Sequence, residues 1–464
     1  MMKRKVIEKL ESIVGSDWVV VEEDQMQDYL IDETPEPVRP KPNPDVVVVK
    51  PEGVQEISEI LKLANQESVP VVPRGGGTGL CGAAIPTKPS IILSLERLDD
   101  IIEIDRDNFT ITCEAGVTLE KLLEELEETD DLFFPPHPGD EGAQVGGLVI
   151  ENAGGARAVK YGVIRNFVKG LEIVLPTGEA MELGGKIIKN NTGLDLLDLV
   201  IGSEGILGIV TKVTFRLYPT PKERVSLVVP YGDRHSAVDT VPDMLREGLT
   251  PLSIEYMEED LIERACEHLG EKWPVKTRGS AYLYIIVTGN DEEEAFSQCE
   301  KIGNICQEHG ALDVVIADRR REQEKILNIR SNIYTALKPD SVDILDVTVP
   351  PAEIGKLMDE IEKIGEKYET YIPAYGHVAD GNVHPHIMKE DGKTPPYMES
   401  MKEEIYSKTK ELGGVITGEH GIGKTRIKNL PQAVGSKYID LMKKIRKVFD
   451  PNNILNPGTV VEDD

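Results

Sequence analysis

Three glycine-rich segments in the first half of the chain restrict its fold more than any other feature. They are Pro73–Pro86 (PRGGGTGLCGAAIP), Pro135–Gly162 (PPHPGDEGAQVGGLVIENAGGARAVKYG) and Gly202–Phe215 (GSEGILGIVTKVTF). In the first, Gly75, Gly76, Gly77 and Gly79 let backbone N–H groups turn inward without Cβ obstruction, forming a nest suited to a pyrophosphate. Any one segment alone would pass as a loop of an irregular sheet. Three in one domain point to a large phosphate-bearing cofactor held along its length. The first loop is not the Rossmann fingerprint, because small apolar residues follow Gly79 where a helix should begin. It also lacks the Lys-Ser/Thr of a Walker loop.

Around this loop the sequence reads as a β-α-β unit. DVVVVKP is a β-branched strand, and Ile57, Ile60, Leu61, Leu63 and Ala64 recur at helical spacing. VPVVP and SIILSL are buried strands. Residues 101–117 alternate as strands, and Leu119–Glu128 reads as a helix. From Gln144 to Leu217 short strands are expected to alternate with Gly-Gly turns at 146, 154 and 184. A first domain, residues 1–220, is expected to close at LYPTPKE. The strands VSLVVP, AYLYIIVTG and LDVVIAD and the helix EEAFSQCEKIGNICQEHG open a second α+β domain, residues 221–415. It continues through a helix to Glu369, a His-rich hairpin and a helix at Met398–Leu412. Residues 416–464 form a C-terminal segment.

A chain of 464 residues exceeds one core, which agrees with this division. Its formal charge of −30 opposes contact with nucleic acid or anionic membranes. The longest apolar runs, such as Val46–Val49, fall far short of a membrane span. The N-terminus reads as an amphipathic helix and lacks the apolar core of a signal peptide. Cys81, Cys113, Cys266, Cys299 and Cys306 form no CxxC pair. That pattern predicts reduced thiols in a cytoplasmic protein with no iron–sulfur cluster of its own.

The strongest chemical signal is YGHVADGNVHPHIM, Tyr375–Met388. Asp380-Gly381 predicts a two-residue hairpin turn that pairs Ala379 with Asn382, Val378 with Val383 and His377 with His384. Opposed residues have Cβ atoms about 4.5–5.5 Å apart, so the two imidazoles could chelate one divalent ion. His386 shares the face of His384. A lone histidine is usually a satisfied core residue, but a cross-strand pair is harder to explain that way.

GGVITGEHGIGKTR, Gly413–Arg426, adds Glu419 as a hard oxygen donor with His420 beside it. Neighbouring side chains diverge, so one can bind metal while the other faces substrate. Two histidines and a carboxylate with open positions form a catalytic arrangement. The same segment matches a Walker loop, Gly418-x4-Gly423-Lys424-Thr425, which leaves a nucleotide hydrolase as an alternative. About forty residues follow that loop in this sequence, read mostly as one helix, and they are not expected to build the sheet such a domain needs. From spacing alone, Arg330 reads as a solvated helix charge and Asp346 as a strand-end residue.

PRGGGTGL, VGGLVIENAGGARAVKYG and IGSEGILGIVT, in this order, resemble the FAD-binding domain of the vanillyl-alcohol oxidase/PCMH flavoprotein superfamily. GHVADGNVHP, GEHGIGKTR and DPNNILNPG resemble the FAD-linked oxidase C-terminal domain of the glycolate oxidase and D-lactate dehydrogenase group. The resemblance spans nearly the whole chain. It implies an α+β fold: a PCMH-type FAD-binding domain, then a substrate (cap) domain, with a C-terminal segment completing the active site.

By the same resemblance, Arg74, Gly75, Gly76, Gly77, Thr78, Gly79 and Leu80 would cradle the FAD pyrophosphate. Pro138, Gly139, Gly146, Gly147, Asn152, Ala153 and Gly155 match a second flavin-contacting stretch, in which Gln144-Val145 replaces the family's usual Thr. Glu204, Gly205, Gly208, Ile209 and Val210 match a third. Thr78 stands where members with covalent flavin carry a histidine, so the FAD is expected to be non-covalent. His377, His384 and Glu419 match the ligands of a divalent metal, zinc or manganese. His420 matches the catalytic base and Arg330 the substrate-carboxylate arginine. Leu327 replaces a common Trp ahead of that arginine. Ile344 replaces the Lys of members acting on 2-hydroxyglutarate, which favours a small substrate.

The implied reaction is oxidation of a small D-2-hydroxy acid, such as D-lactate or glycolate, to the 2-oxo acid. Metal coordination would lower the hydroxyl pKa, as it lowers that of water to about 7 in zinc enzymes. His420 would take the proton, the Cα hydride would pass to flavin N5, and Arg330 would clamp the carboxylate. The electron acceptor would be external: an iron–sulfur subunit, an electron-transferring flavoprotein, a quinone or a cytochrome. A homodimer is a candidate assembly, and the sequence leaves the oligomeric state open. The alternatives are a D-2-hydroxyglutarate dehydrogenase and a flavin-containing component of a complex that only relays electrons.

Overall fold

The computed structural model describes residues 4–317 and 319–462. Asp318, at the end of the expected LDVVIAD strand, lies outside the described residues, as do Met1–Lys3 and Asp463–Asp464.

The β-α-β unit forms as the periodicity predicts. Strands Val46–Val49, Ser90–Ser94 and Val71–Arg74 run parallel, with Ser90–Ser94 in the middle. Helix Val54–Glu67 covers them through buried Ile57, Ile60, Leu61, Leu63 and Ala64. The glycine loop leaves the carboxyl end of Val71–Arg74, the end of a parallel sheet where ligands collect. A five-stranded antiparallel sheet follows, ordered Ile101–Asp105, Thr110–Glu114, Ile209–Arg216, Val168–Val174 and Ala180–Gly184. One apolar core joins both sheets and takes in Ile454 and Leu455 from the far end of the chain. The returning segment is pinned by Val71 N–H to Ile454 O and Asn456 N–H to Val71 O, both 2.7 Å.

Within the first domain one glycine pair differs from expectation. The Gly-Gly pair at 146 is in helix Val145–Glu151 and not in a turn between strands. A Cβ on Gly146 would stand 2.8 Å from Ala115 Cβ, so the missing side chain lets the helix lie directly on the sheet. Glycine here serves close packing, which a turn reading overlooks.

The second half is an eight-stranded sheet. Its path runs Val315–Ala317, Glu223–Tyr231, Ala281–Gly289, Ser253–Glu258, Ala374–His377, Asn382–Met388 and Ser341–Ile344, with Val347–Thr348 paired to Asn382–Met388. Every residue of Ala281–Gly289 is buried, because helices cover both faces. Leu283, Ile285 and Val287 pack towards helices Glu292–Glu308, Ile354–Lys367 and Met398–Glu411. Tyr282, Tyr284 and Ile286 pack towards helices Glu259–Leu269 and Arg320–Ser331. Among the described residues no helix is long and apolar enough to cross a membrane.

Candidate active site

The carboxyl end of the parallel sheet faces the inner strands of the large sheet across a cavity of about 670 Å³. Gly75, Gly76, Gly77, Thr78, Gly79, Leu80, Pro138, Gly139, Gln144, Gly147, Ala153, Gly155 and Glu204 line one side. Arg330, His377, His384, Glu419 and His420 line the other. Other expected cofactor residues do not line it. Arg74 turns back to the N-terminal segment, donating to Ile31 O (2.8 Å) and Asp28 O (2.6 Å). Asn152 caps a helix and accepts from Arg165 N–H. Gly146 packs on Ala115, Gly205 lies under Pro73, Gly208 faces Ile173 and Val174, and Ile209 and Val210 are in-sheet. These residues shape the scaffold behind the cavity.

The glycine side fits an elongated cofactor. Nothing lies within 4 Å of where a Cβ on Gly139 or Gly147 would stand, so both leave open space along the wall. Gln144 Oε1 is buried beside Gly75 with no hydrogen-bond partner, an acceptor left for a bound group.

The opposite side is built on the hairpin, in a different register from the expected one. Ala374 faces Pro385, Tyr375 faces His384, Gly376 faces Val383 and His377 faces Asn382, so the connecting loop is Val378–Gly381. Val378 and Ala379 are drawn into the apolar core. Gly381, at φ +87°, is held against Val349, whose N–H donates to Gly381 O at 3.0 Å. These contacts exclude the two-residue turn. The shift is by two residues, which preserves the face, whereas a slip of one would have reversed it. His377 and His384 therefore still converge diagonally, with ring centroids 5.5 Å apart. His386 is withdrawn, sharing a hydrogen bond with Ser341 Oγ (3.0 Å), and burial pushes its pKa down to about 3.

Glu419 Oε1 sits amid three imidazoles. His384 Nε2 is 3.5 Å away, His377 Nε2 3.7 Å and His420 Nε2 3.9 Å. Donors each about 2.1 Å from one tetrahedral ion stand about 3.4 Å from one another, so these spacings suit an ion between them. Gly154 makes room for this carboxylate, since a Cβ there would meet Glu419 Oε2. Burial would raise the Glu419 pKa, but His377 and His384 hold it below its usual range. Burial pushes His384 down to about 3, leaving a neutral imidazole ready to act as a ligand.

Asp346, His384, Glu419 and His420 each bring a donor atom within 4.8 Å of one another. Asp346, however, is already saturated. Its Oδ2 accepts Thr417 Oγ1 (2.7 Å) and the N–H groups of Gly418, Glu419 and His420 (2.8 Å each). Its Oδ1 accepts Asn382 Nδ2 (2.9 Å). It is fully buried. Burial opposes its charge, but His420, His384, Arg426 and the backbone donors hold its pKa well below the usual carboxylate range. Asp346 is thus the post around which the Glu419–His420 loop folds. The sequence marks it only as a strand end.

Glu204 does the same for the next turn, accepting Ile422 N–H (2.8 Å) and Gly423 N–H (2.6 Å). Lys424 donates to Ala83 O, Asn456 Oδ1 and Thr459 Oγ1. The Walker-like sequence therefore commits its N–H groups and its lysine to protein acceptors, and it runs into the 3-10 turn Ile427–Asn429 and not directly into a long helix. It is not a phosphate loop.

Arg330 lies on helix Arg320–Ser331, one turn after Leu327, and both line the cavity. It is half-buried, its side chain 12% exposed, and ion-paired with Glu255, and its guanidinium sits 5.1 Å from the centre of the Tyr375 ring. It is not the solvated charge that spacing alone suggests. Glu255 also accepts His377 Nδ1–H at 2.7 Å. Burial would raise the Glu255 pKa, but Arg330 and His377 outweigh it and hold it at about 2. No sequence motif marks Glu255.

The two-sheet glycine cradle and the large capping sheet define a PCMH-type flavoprotein oxidoreductase of α+β architecture. Residues 45–184 match the family model "FAD binding domain" and residues 220–460 match "FAD linked oxidases, C-terminal domain". The chain is 42% identical over 433 residues to D-lactate dehydrogenase of Archaeoglobus fulgidus, covering 93% of this chain and 95% of that one. It is 36% identical over 428 residues to glycolate oxidase subunit GlcD of Bacillus subtilis, covering 91% and 90%. Among solved structures, p-cresol methylhydroxylase with substrate bound superposes with a TM-score of 0.79 at 21% identity, covering 99% of this chain and 97% of that one. The chain belongs to the FAD-linked oxidase family, and FAD is its cofactor.

Proposed function

We propose that the protein oxidises a small 2-hydroxy acid, D-lactate or glycolate, to the 2-oxo acid. The observation that carries this reading is the convergence of three imidazole Nε2 atoms on Glu419 Oε1, in the same cavity as the half-buried Arg330 and the glycine cradle. The relatives named for D-lactate and glycolate support it.

In this reading the Gly75–Leu80 loop and the Gly139–Gly155 stretch hold non-covalent FAD, which supplies the two-electron acceptor. His377, His384 and Glu419 hold zinc or manganese, a Lewis acid for the α-hydroxyl. His420 accepts the hydroxyl proton at Nε2. Asp346 holds that ring through its backbone, and its Oδ2 lies 4.0 Å from His420 Nδ1. Arg330 binds the substrate carboxylate, with its Nε buried and unpartnered. Ile344, Leu327 and Tyr375 wall this end of the cavity, an apolar boundary suited to a short side chain and unsuited to a second carboxylate.

We assign residues 1–220 to the flavin domain, 221–415 to the substrate domain and 416–464 to the closing segment. Electrons would leave to an external acceptor, an iron–sulfur subunit or an electron-transferring flavoprotein, as a relative named as a subunit supports. Burial of all five cysteines is compatible with a reducing, cytoplasmic setting.

Anaerobic mixing of the purified yellow protein with D-lactate, L-lactate, glycolate and D-2-hydroxyglutarate tests the reading. Flavin bleaching by D-lactate or glycolate is expected. Bleaching by none of the four, or by D-2-hydroxyglutarate alone, would overturn it.

A further inference from the structure

Glu255 lies at the inner face of strand Ser253–Glu258, paired across the sheet with Tyr284 and 2% exposed. Its two oxygens are divided between two parts of the site. Oε1 accepts His377 Nδ1–H at 2.7 Å, and Oε2 pairs with Arg330 Nη2. These partners come from separate elements, the strand Ala374–His377 and the helix Arg320–Ser331.

We propose that Glu255 is a positioning residue that sets the tautomer of His377 and the orientation of Arg330 together, so that metal capture and substrate-carboxylate binding share one strut. This rests on the metal-assisted 2-hydroxy-acid reading above. A neutral imidazole carries a single N–H, and a carboxylate at Nδ1 keeps the proton there, leaving the Nε2 lone pair directed at the cation site. His377 Nε2 is the atom 3.7 Å from Glu419 Oε1. His384 lacks such a fixing contact: its Nδ1 is 3.6 Å from Asp346 Oδ1 and makes no hydrogen bond. On the other arm, Glu255 occupies Nη2 of Arg330 and leaves Nε buried and without a partner, available to a substrate carboxylate. The buried negative charge also keeps Arg330 compatible with a nearby divalent cation, which it would otherwise repel.

The test uses full-length, FAD-loaded protein. Zinc and manganese binding are measured by elemental analysis after dialysis against metal buffers, and KM and kcat for D-lactate are measured alongside. Wild type, E255Q, E255A and R330K are compared, with FAD content and melting temperature as fold controls. E255Q keeps the shape but loses the charge and points an amide N–H₂ at a partner that is itself a donor. It is expected to weaken metal binding by about 10–100-fold and to raise KM, with FAD content unchanged. E255A should do the same, whereas R330K should raise KM while metal binding stays near wild type. Folded E255Q with wild-type metal affinity and KM would overturn the proposal alone. Wild-type protein that binds neither metal would overturn the reading it rests on, and the proposal with it.

Discussion

The backbone N–H of His420 donates to Asp346 Oδ2 at 2.8 Å, and the His420 ring Nδ1 stands 4.0 Å from the same oxygen. One carboxylate thus fixes the loop that carries the proposed base and faces the ring of that base. Replacing it removes both effects. Asp346→Ala removes the buried acceptor of five donors and should destabilise the fold by roughly 3–5 kcal/mol, read from denaturant midpoints. The pH dependence has a definite sign: a depressed folded pKa gives stability that is present above the unfolded value of about 3.9 and is lost as pH falls through the folded one. Wild type should therefore lose more stability than the variant on acidification.

His420→Ala should cut flavin reduction by D-lactate by roughly 10²–10⁴-fold, with FAD and metal content unchanged. Stopped-flow measurement of the bleaching rate checks this. A wild-type rate would remove His420 from the mechanism.

Adjacent glycines in one helix should fail in different ways. A side chain at Gly147 enters the open cradle, so Gly147→Val should give a folded but colourless protein. At Gly146 even an alanine Cβ meets Ala115 at 2.8 Å, so Gly146→Ala should lower the melting temperature. Absorbance spectra and thermal melts separate the two.

All five thiols are buried, with pKa values raised by burial, to about 12 at Cys113 and about 11 at Cys299 and Cys306. The native protein should therefore be silent towards a thiol-specific dye, and denaturant should release all 5. Rapid labelling of the native protein would contradict this burial.

Much of this is legible in the sequence because it is local. The β-branched runs and the helix at Val54–Glu67 announce themselves by periodicity, and the glycine segments by composition. The hairpin is visible too, but its register depends on Val378 and Ala379 entering a distant core and on Gly381 meeting Val349, contacts no short-range pattern encodes. Asp346 and Glu255 escape notice for the same reason. Glu255 lies within a strand and Asp346 between two, and the importance of each comes from partners 122 and 74 positions away. Glu204 matches a cofactor-binding stretch, yet its carboxylate ties down Ile422 and Gly423, which glycine spacing cannot reveal.

In the proposed function, oxidation depends on a divalent ion held by His377, His384 and Glu419. Anaerobic flavin bleaching by D-lactate, before and after chelation and after return of zinc or manganese, tests it most directly. Bleaching is expected to stop on chelation and to resume with metal. Metal-free protein that bleaches at the full rate would contradict it.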